Sequence, residues 1–234
     1  MKKKVMIITG SSKGIGKSLA EHYLKKEWIV AGCSRGEGSI NHDDYEHFNV
    51  DVSDEQSVVE MVRRVYEKFN KIDVLLNNAG IATMNAVLLS SLSKAESIMR
   101  TNFLGAFLFC REVGKAMIRK KTGSIVNFTS VASPLNLEGE ALYASSKASV
   151  ERLTKILAYE LGSSGVTVNA IGPTPIDTDL IGSVPEDKIH AVIQRQAVKR
   201  KGSFDDIAHV CDFLIDEKSS FVTGQVIYLG GVCD

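Results

Sequence analysis

The sequence predicts an α/β protein built on a doubly wound sheet of seven parallel strands flanked by helices, as a single domain over residues 1–234. Three observations carry this expectation. Short β-branched runs alternate with longer stretches of helical periodicity, the pattern of successive βαβ units. Most of the short runs are apolar throughout, as strands covered on both faces are. A glycine-rich turn stands between the first such run and the first helical stretch, where a parallel sheet opens its ligand crevice.

The chain starts Met1-Lys2-Lys3-Lys4 and continues Val5-Met6-Ile7-Ile8 before Thr9-Gly10. That apolar run is too short for the ~7–15-residue core of a secretory signal, so Val5–Thr9 is read as the first strand. Further strands are predicted at Ile29–Cys33, Phe48–Val50, Val74–Asn77, Ser124–Phe128, Val166–Ile171 and Gln225–Leu229. Helices fit at Ile15–Lys26, Glu55–Phe69, Ala95–Arg119 (two merging pieces), Ala141–Leu161 and Asp205–Ile215, with Ser53 and Asp205 as N-caps. Residues 34–47 are polar and read as a loop that replaces a crossover helix. Residues 172–203 carry Pro173, Pro175 and Pro185, then a short amphipathic piece from Glu186 to Val198. So long a segment in a compact domain is usually functional, and a substrate lid is the expectation.

Composition bounds the partners. The 234 residues carry 28 basic and 28 acidic side chains, so no net positive field draws the chain to nucleic acid or to an anionic membrane surface. No apolar run reaches the ~18–20 residues of a membrane-spanning helix. Cys33, Cys110, Cys211 and Cys233 are scattered singly, without metal-ligand spacing, which predicts no metal site and a reducing, cytoplasmic setting. His22, His42, His47, His190 and His209 fall in no hydrolase triad motif and are read as surface residues.

The turn reads Thr9-Gly10-Ser11-Ser12-Lys13-Gly14-Ile15-Gly16. Glycine is needed where backbone turns tightly against a diphosphate, and the helix N-terminus that follows supplies N–H donors. Gly16-Lys17-Ser18 looks like the end of a P-loop, but that motif needs glycine at position 11, which is Ser. A Rossmann-type dinucleotide site is the better reading. After the second strand, Cys33-Ser34-Arg35 offers no acid for a ribose hydroxyl, whereas Arg35 and Lys13 can clamp a 2′-phosphate; this favours NADPH over NADH, with Glu37 nearby as the contrary sign.

Tyr143 and Lys147 are four apart on a predicted helix, so they share a face, and an ammonium there would favour the phenolate. Ser130 lies two residues past the fifth strand, where ligands bind in parallel sheets and a hydroxyl can donate to a developing oxyanion.

Gly-x-x-x-Gly-x-Gly at the turn, Asn77-Asn78-Ala79-Gly80 after the fourth strand, Asp51-Val52 after the third, Asn102, Ser130 and Tyr143-x-x-x-Lys147 follow one another in order, with Arg200-x-Gly202 and Thr223-Gly224-Gln225 near the end. Over residues 5–231 this set resembles the short-chain dehydrogenase/reductase family, and most closely its 3-oxoacyl-acyl-carrier-protein reductases. The resemblance implies that Asn102, Ser130, Tyr143 and Lys147 are catalytic. It implies a cofactor site from Gly10, Ser12, Lys13, Gly14, Ile15 and Gly16, from Arg35, Asp51, Val52, Asn78, Ala79 and Gly80, and from Tyr143, Lys147, Pro173, Ile176 and Thr178. Asp51-Val52 would contact the adenine, Ile176 and Thr178 the nicotinamide amide, Lys147 the ribose, and Asn102 a water linking Lys147 to solvent. No metal is needed for such chemistry.

The expected reaction is NADPH-dependent reduction of a ketone, with an acyl thioester or similar carbonyl compound, small or carrier-linked, as substrate. A sugar, polyol or other secondary-alcohol dehydrogenase is the alternative within enzymes; a cofactor-binding regulatory protein is the alternative outside them, and the intact Tyr143/Lys147 pair speaks against it. Three features depart from the family pattern. Pro173-Thr174 stands for Pro-Gly, which stiffens the hinge of the lid. Leu135-Asn136-Leu137-Glu138-Gly139-Glu140 brings two acids near the site mouth, and the last strand is followed by Gly230-Gly231 without a preceding acid. Lys199-Arg200-Lys201 offers a basic cluster for an acidic carrier. Apolar surface on 95–119 and 141–161, with the resemblance, predicts a homodimer or homotetramer.

Overall fold

The computed structural model describes residues 3–182 and 184–232; Met1, Lys2 and Cys233 lie outside them. Each strand pairs in parallel with its neighbours, in the order β3-β2-β1-β4-β5-β6-β7, for β1 (Val5–Thr9), β2 (Ile29–Ser34), β3 (Tyr45–Asn49), β4 (Val74–Asn77), β5 (Gly123–Phe128), β6 (Val166–Gly172) and β7 (Val226–Tyr228). The seven-stranded doubly wound sheet is the one the sequence predicts. Strand order reverses between β1 and β4, and this switch point opens a crevice beyond their C-terminal ends.

The apolar runs are explained by the two layers they feed. Along β1, Val5 and Ile7 enter one core with α2 (Glu55–Phe69), α4 (Gly105–Lys120) and α6 (Ala141–Gly162). Met6 and Ile8 enter the other, under α1 (Gly14–Lys25) and α8 (Phe204–Ile215). Both faces of the central strands are therefore dry, and no polar alternation survives. Among the described residues no helix is long and apolar enough to cross a membrane.

Several boundaries move for identifiable reasons. The cap of α2 is Asp54 and not Ser53, because Asp51 Oδ1 holds the Ser53 amide (2.9 Å) and hydroxyl (2.8 Å) in a turn, and Asp54 then accepts from Ser57 N. The cap of α8 is Ser203, in a capping box with Asp206, and not Asp205. β3 starts at Tyr45, three residues before the predicted strand, where its polar side chains pair with β2 and the glycine-rich turn. A one-turn helix, α5 (Ala132–Leu135), was not expected.

The stretch 95–119 resolves into α3 (Leu92–Met99), capped by Ser91, a π-helical turn at Arg100–Leu104, and α4. The wide turn re-aims one side chain, Asn102. After β6, α7 (Glu186–Gln194) ends four residues earlier than predicted, because the chain turns so that Gln196 is buried against Thr174. Two histidines are not plain surface residues: His22 lies 3.1 Å from Asp212, and His47 is half-buried in a hydrogen-bonded cluster.

Candidate active site

The crevice at the switch point is a cleft of about 540 Å³ beside a second cavity of about 340 Å³. The glycine-rich turn forms one wall of the cleft. Gly10 (φ 70°) and Gly14 (φ 56°) adopt left-handed backbone that disfavours side chains. A Cβ on Gly16 would lie 2.2 Å from Gly10 O, so only glycine lets the helix start so close to the strand. Lys13, at the N-cap position of α1, makes no side-chain cap, and the first N–H groups of the helix are left for a ligand. Asn78 Nδ2 donates to Thr9 O (3.0 Å) and Gly10 O (3.3 Å), and Ala79 N donates to Thr9 Oγ1 (2.9 Å), which locks the loop after β4 to the turn.

Of the residues named as a cofactor site, Gly10, Ser12, Lys13, Gly14, Ile15, Arg35, Asp51, Val52, Asn78, Ala79, Gly80 and Thr178 line this cleft. Gly16 lies behind it. Arg35 and Lys13 share the cleft, but Lys13 Nζ is held 2.8 Å from Asp179, a residue of the 172–203 segment. Both members of that pair are largely exposed, so it is a screened contact that a bound phosphate can exchange. Asp51 reaches the cleft while its carboxylate turns back onto Ser53.

The four candidate catalytic residues converge beside the cleft, where it meets the second cavity. Lys147 is buried, donates to Phe128 O (2.8 Å) and stands 5.8 Å from the Tyr143 ring centre. Burial pulls its ammonium down to about 8, partly countered by Glu151, which accepts from Thr129 Oγ1. Tyr143 moves the opposite way. Burial pushes its hydroxyl up to about 12, Ser130 pulls it down by hydrogen bonding, and Glu140 pushes it up. Burial outweighs the Ser130 hydrogen bond, and the phenol keeps its proton at neutral pH.

Asn102 is buried and almost fully engaged. Its Nδ2 donates to Ile81 O and Ser146 Oγ (2.9 Å each), and its Oδ1 accepts from Ile81 N (2.8 Å). It ties the π-helical turn to the loop after β4 and to α6. Ser146 in turn donates to Tyr143 O (2.7 Å). A Cβ on Gly80 would lie 3.3 Å from both Asn102 Oδ1 and Lys147 Nζ, which explains glycine there.

The family profile described as "Enoyl-(Acyl carrier protein) reductase" matches residues 10–231. The chain belongs to the short-chain dehydrogenase/reductase family. It is 33% identical to the 3-oxoacyl-[acyl-carrier-protein] reductase of Staphylococcus epidermidis, across 97% of this chain and 98% of that one. It is 30% identical to the enzyme of that name from Escherichia coli, across 97% and 96%. Among solved structures, ElxO with NADP bound superposes with a TM-score of 0.89 at 30% identity, covering 98% of this chain and 97% of the other. The ligand-free aldohexose dehydrogenase of Thermoplasma acidophilum gives 0.89 at 28%, covering 99% and 94%. As a member of the short-chain dehydrogenase/reductase family, the protein is an NAD(P)-dependent oxidoreductase.

For a reductase of this family, the second cavity is the informative part. Ser130, Tyr143 and Lys147 form its floor, with Ile15, Asn78 and Gly80 shared with the cleft. Its wall is apolar through Leu137, Val184, Ile189 and Val192, but Glu138 and Glu140 also line it. Glu140 is buried, one of its oxygens, Oε2, has no partner, and burial pushes its carboxyl up. Pro173, Ile176 and Thr178 line the same cavity, with Ile176 bridged to Gly202. Thr174 turns inward onto Gln196 and packs where a side chain on Gly202 would sit, so the base of the segment is anchored rather than hinged.

Sequence reasoning passed over Ser146, Gly80 as the neighbour of Lys147, and the Thr129–Glu151 pair. Only Gly80 carried a signal, as part of Asn77-Asn78-Ala79-Gly80. The Lys199-Arg200-Lys201 cluster is less available than its sequence suggests: Arg200 is bidentate to Asp206 (2.6 and 2.8 Å), Lys201 pairs with Asp177 (2.8 Å), and Lys199 donates to Gln194 O.

Proposed function

We propose that the protein is an NADPH-dependent reductase of ketones on acyl thioesters, with Tyr143 as proton donor, Ser130 as the group that polarises the carbonyl, and Lys147 and Asn102 in support. The observation that carries this reading is the convergence of Ser130, Tyr143 and Lys147 on the floor of an apolar-walled cavity that continues into the dinucleotide cleft. The cleft fits the cofactor because Gly10 and Gly14 hold the turn in left-handed backbone and Gly16 lets the helix start close against it, which leaves the first helical N–H groups facing a diphosphate. When bound, NADPH supplies a hydride to the carbonyl carbon.

The chain's residues supply the rest. The Ser130 hydroxyl donates to the carbonyl oxygen as negative charge gathers there. Tyr143, protonated at neutral pH by virtue of its burial, transfers the proton from Oη to that oxygen. The resulting phenolate is favoured by the Lys147 ammonium, whose own lowered value, about 8, suits it to return a proton. Asn102 holds the loop after β4 and α6 in register, so that Lys147 stays between Tyr143 and Phe128 O.

Arg35 and Lys13 on the cleft, with no acid at 33–35, favour NADPH over NADH. Residues 172–203 act as the substrate lid, and Lys13–Asp179 is its contact with the turn. Exposed Phe107 and Ile118 on α4, with Ile156 and Tyr159 on α6, support a homodimer or homotetramer, which light scattering would read as a multiple of 25.5 kDa. Buried thiols at Cys33, Cys110 and Cys211 fit a reducing cytoplasm.

A second reading, reduction or oxidation of a sugar, polyol or other secondary alcohol, draws on Glu138 and Glu140, whose carboxyls suit hydroxyl donors better than an acyl chain. NADPH oxidation followed with acetoacetyl thioester beside a set of hydroxylated ketones separates the two. Turnover confined to the hydroxylated set would overturn the thioester assignment and leave the reductase chemistry standing.

A further inference from the structure

Behind the corner that carries Arg35 lies a chain of hydrogen bonds that the reaction does not use. Ser11, in the glycine-rich turn, is fully buried, and its hydroxyl lies 3.0 Å from Tyr45 Oη. Tyr45 Oη lies 2.8 Å from His47 Nδ1. His47 Nε2 reaches Gly36 O at 2.9 Å and Ser34 Oγ at 3.1 Å, and Ser34 Oγ also donates to Gly36 O at 2.9 Å. The acceptor Gly36 O requires Nε2 to carry a proton, so Nδ1 of a neutral ring accepts from Tyr45 and Tyr45 accepts from Ser11.

Two glycines make room for this chain. A Cβ on Gly32 would fall 2.3 Å from Ser11 Oγ and 2.4 Å from Tyr45 Oη, and one on Gly38 would fall 2.6 Å from the His47 ring. The loop from Ser34 to Ser39 is thereby wrapped around the imidazole, with Ser39 Oγ donating to Ser12 O at 3.4 Å as a further tie to the turn. Arg35 and Glu37 both project from this loop and are exposed. Arg35 lines the cleft and Glu37 does not, and the carbonyl between them, Gly36 O, is the group that His47 holds.

We propose that His47, braced by Tyr45 against Ser11, is a positioning residue for cofactor choice: by holding Gly36 O it presents Arg35 rather than Glu37 to the ribose 2′ position. This rests on the reading that Arg35 meets a 2′-phosphate. The chain of bonds couples that corner to the turn that binds the diphosphate, so the two phosphate sites keep a fixed separation. The loop from Ser34 to Ser39, with Gly36 and Gly38 in it, has little stiffness of its own to do this.

The test is titration of NADPH and NADH by nicotinamide fluorescence into the full-length protein and into Arg35→Ala, Tyr45→Phe, His47→Phe and His47→Gln. Tyr45→Phe keeps the ring and His47→Phe puts a phenyl in place of the imidazole; both remove the bonds, and each should weaken NADPH about three- to tenfold while NADH stays within about twofold. His47→Gln, whose amide can still donate to Gly36 O, should recover most of the preference. Equal weakening of both cofactors would overturn the proposal, since it would mean general damage to the turn. A preference that falls in Arg35→Ala but stands in both ring variants would overturn it while sparing the reading of Arg35. A preference unmoved in Arg35→Ala would remove that reading, and the positioning role with it.

Discussion

In the dinucleotide cleft, position is fixed by the main chain; in the cavity beside it, position is fixed by side chains. The cleft takes its form from left-handed glycines, from uncapped amides at the start of α1, and from carbonyls held by Asn78. The cavity takes its form from Tyr143 and Lys147 on α6, from Asn102 on a wide helical turn, and from a segment anchored by Thr174, Gln196 and Gly202. On the proposed reading the first arrangement is indifferent to the substrate, because it would hold only the cofactor's diphosphate. The second can be altered residue by residue, and Glu138 and Glu140 are among the side chains that line it.

The sharpest way to separate the regions is to remove the Tyr143 hydroxyl alone. Tyr143→Phe should lower turnover by about 10²–10⁴-fold while NADPH affinity changes little. Equal loss of binding and turnover would show that the two regions are one unit. Gly16→Ala makes the converse cut. With a methyl 2.2 Å from Gly10 O, stability should fall by about 1–3 kcal/mol in urea denaturation, and cofactor affinity should fall with it. Unchanged NADPH binding in that variant would mean that the turn is not the diphosphate site.

Lys147 links both regions through pH. Its value falls in the fold from 10.5 to about 8, so between those limits the unfolded chain binds more protons, and stability should rise with pH across that window. Tyr143, raised from 10.0 to about 12, works in the opposite sense, and its contribution is lost as pH rises from about 10 to 12. Carbonyl reduction should decline above pH about 8 as the ammonium is lost; a rate flat to pH 10 would exclude Lys147 as the tuning charge. The smallest effect expected is at Glu140. Glu140→Gln should shift kcat/KM roughly two- to tenfold, upward for an acyl thioester and downward for a hydroxylated ketone.

The cleft was legible in the sequence because glycine spacing is a statement about backbone, and backbone is what the cleft uses. Lys13, Arg35, Asp51 and Asn78 all appear where their order along the chain implies. Tyr143 and Lys147 were legible for a similar reason, a helix face. Asn102 was named on the resemblance alone, and its engagement with Ile81 and Ser146 depends on a π-helical turn that periodicity does not announce. The opposed shifts of Tyr143 and Lys147 were also out of reach, because desolvation is a property of the assembled fold. The polar stretch that became β3 hid its strand for the same reason: Tyr45 and His47 face partners, Ser11 and Ser34, from two other segments.

The position of β1 in the sheet has a kinetic consequence. It lies between β2 and β4, and Met6, Ile7 and Ile8 pair with Val74, Leu75 and Leu76 across more than sixty residues of chain. β5, whose end carries Ser130, cannot dock until β4 is in place. Such long-range pairing makes for slow folding, since loop closure must precede the contacts that reward it. During synthesis the glycine-rich turn therefore emerges early yet stays without its opposite wall until residues 74–80 arrive, and Ser130, Tyr143 and Lys147 come together only after α6 has followed.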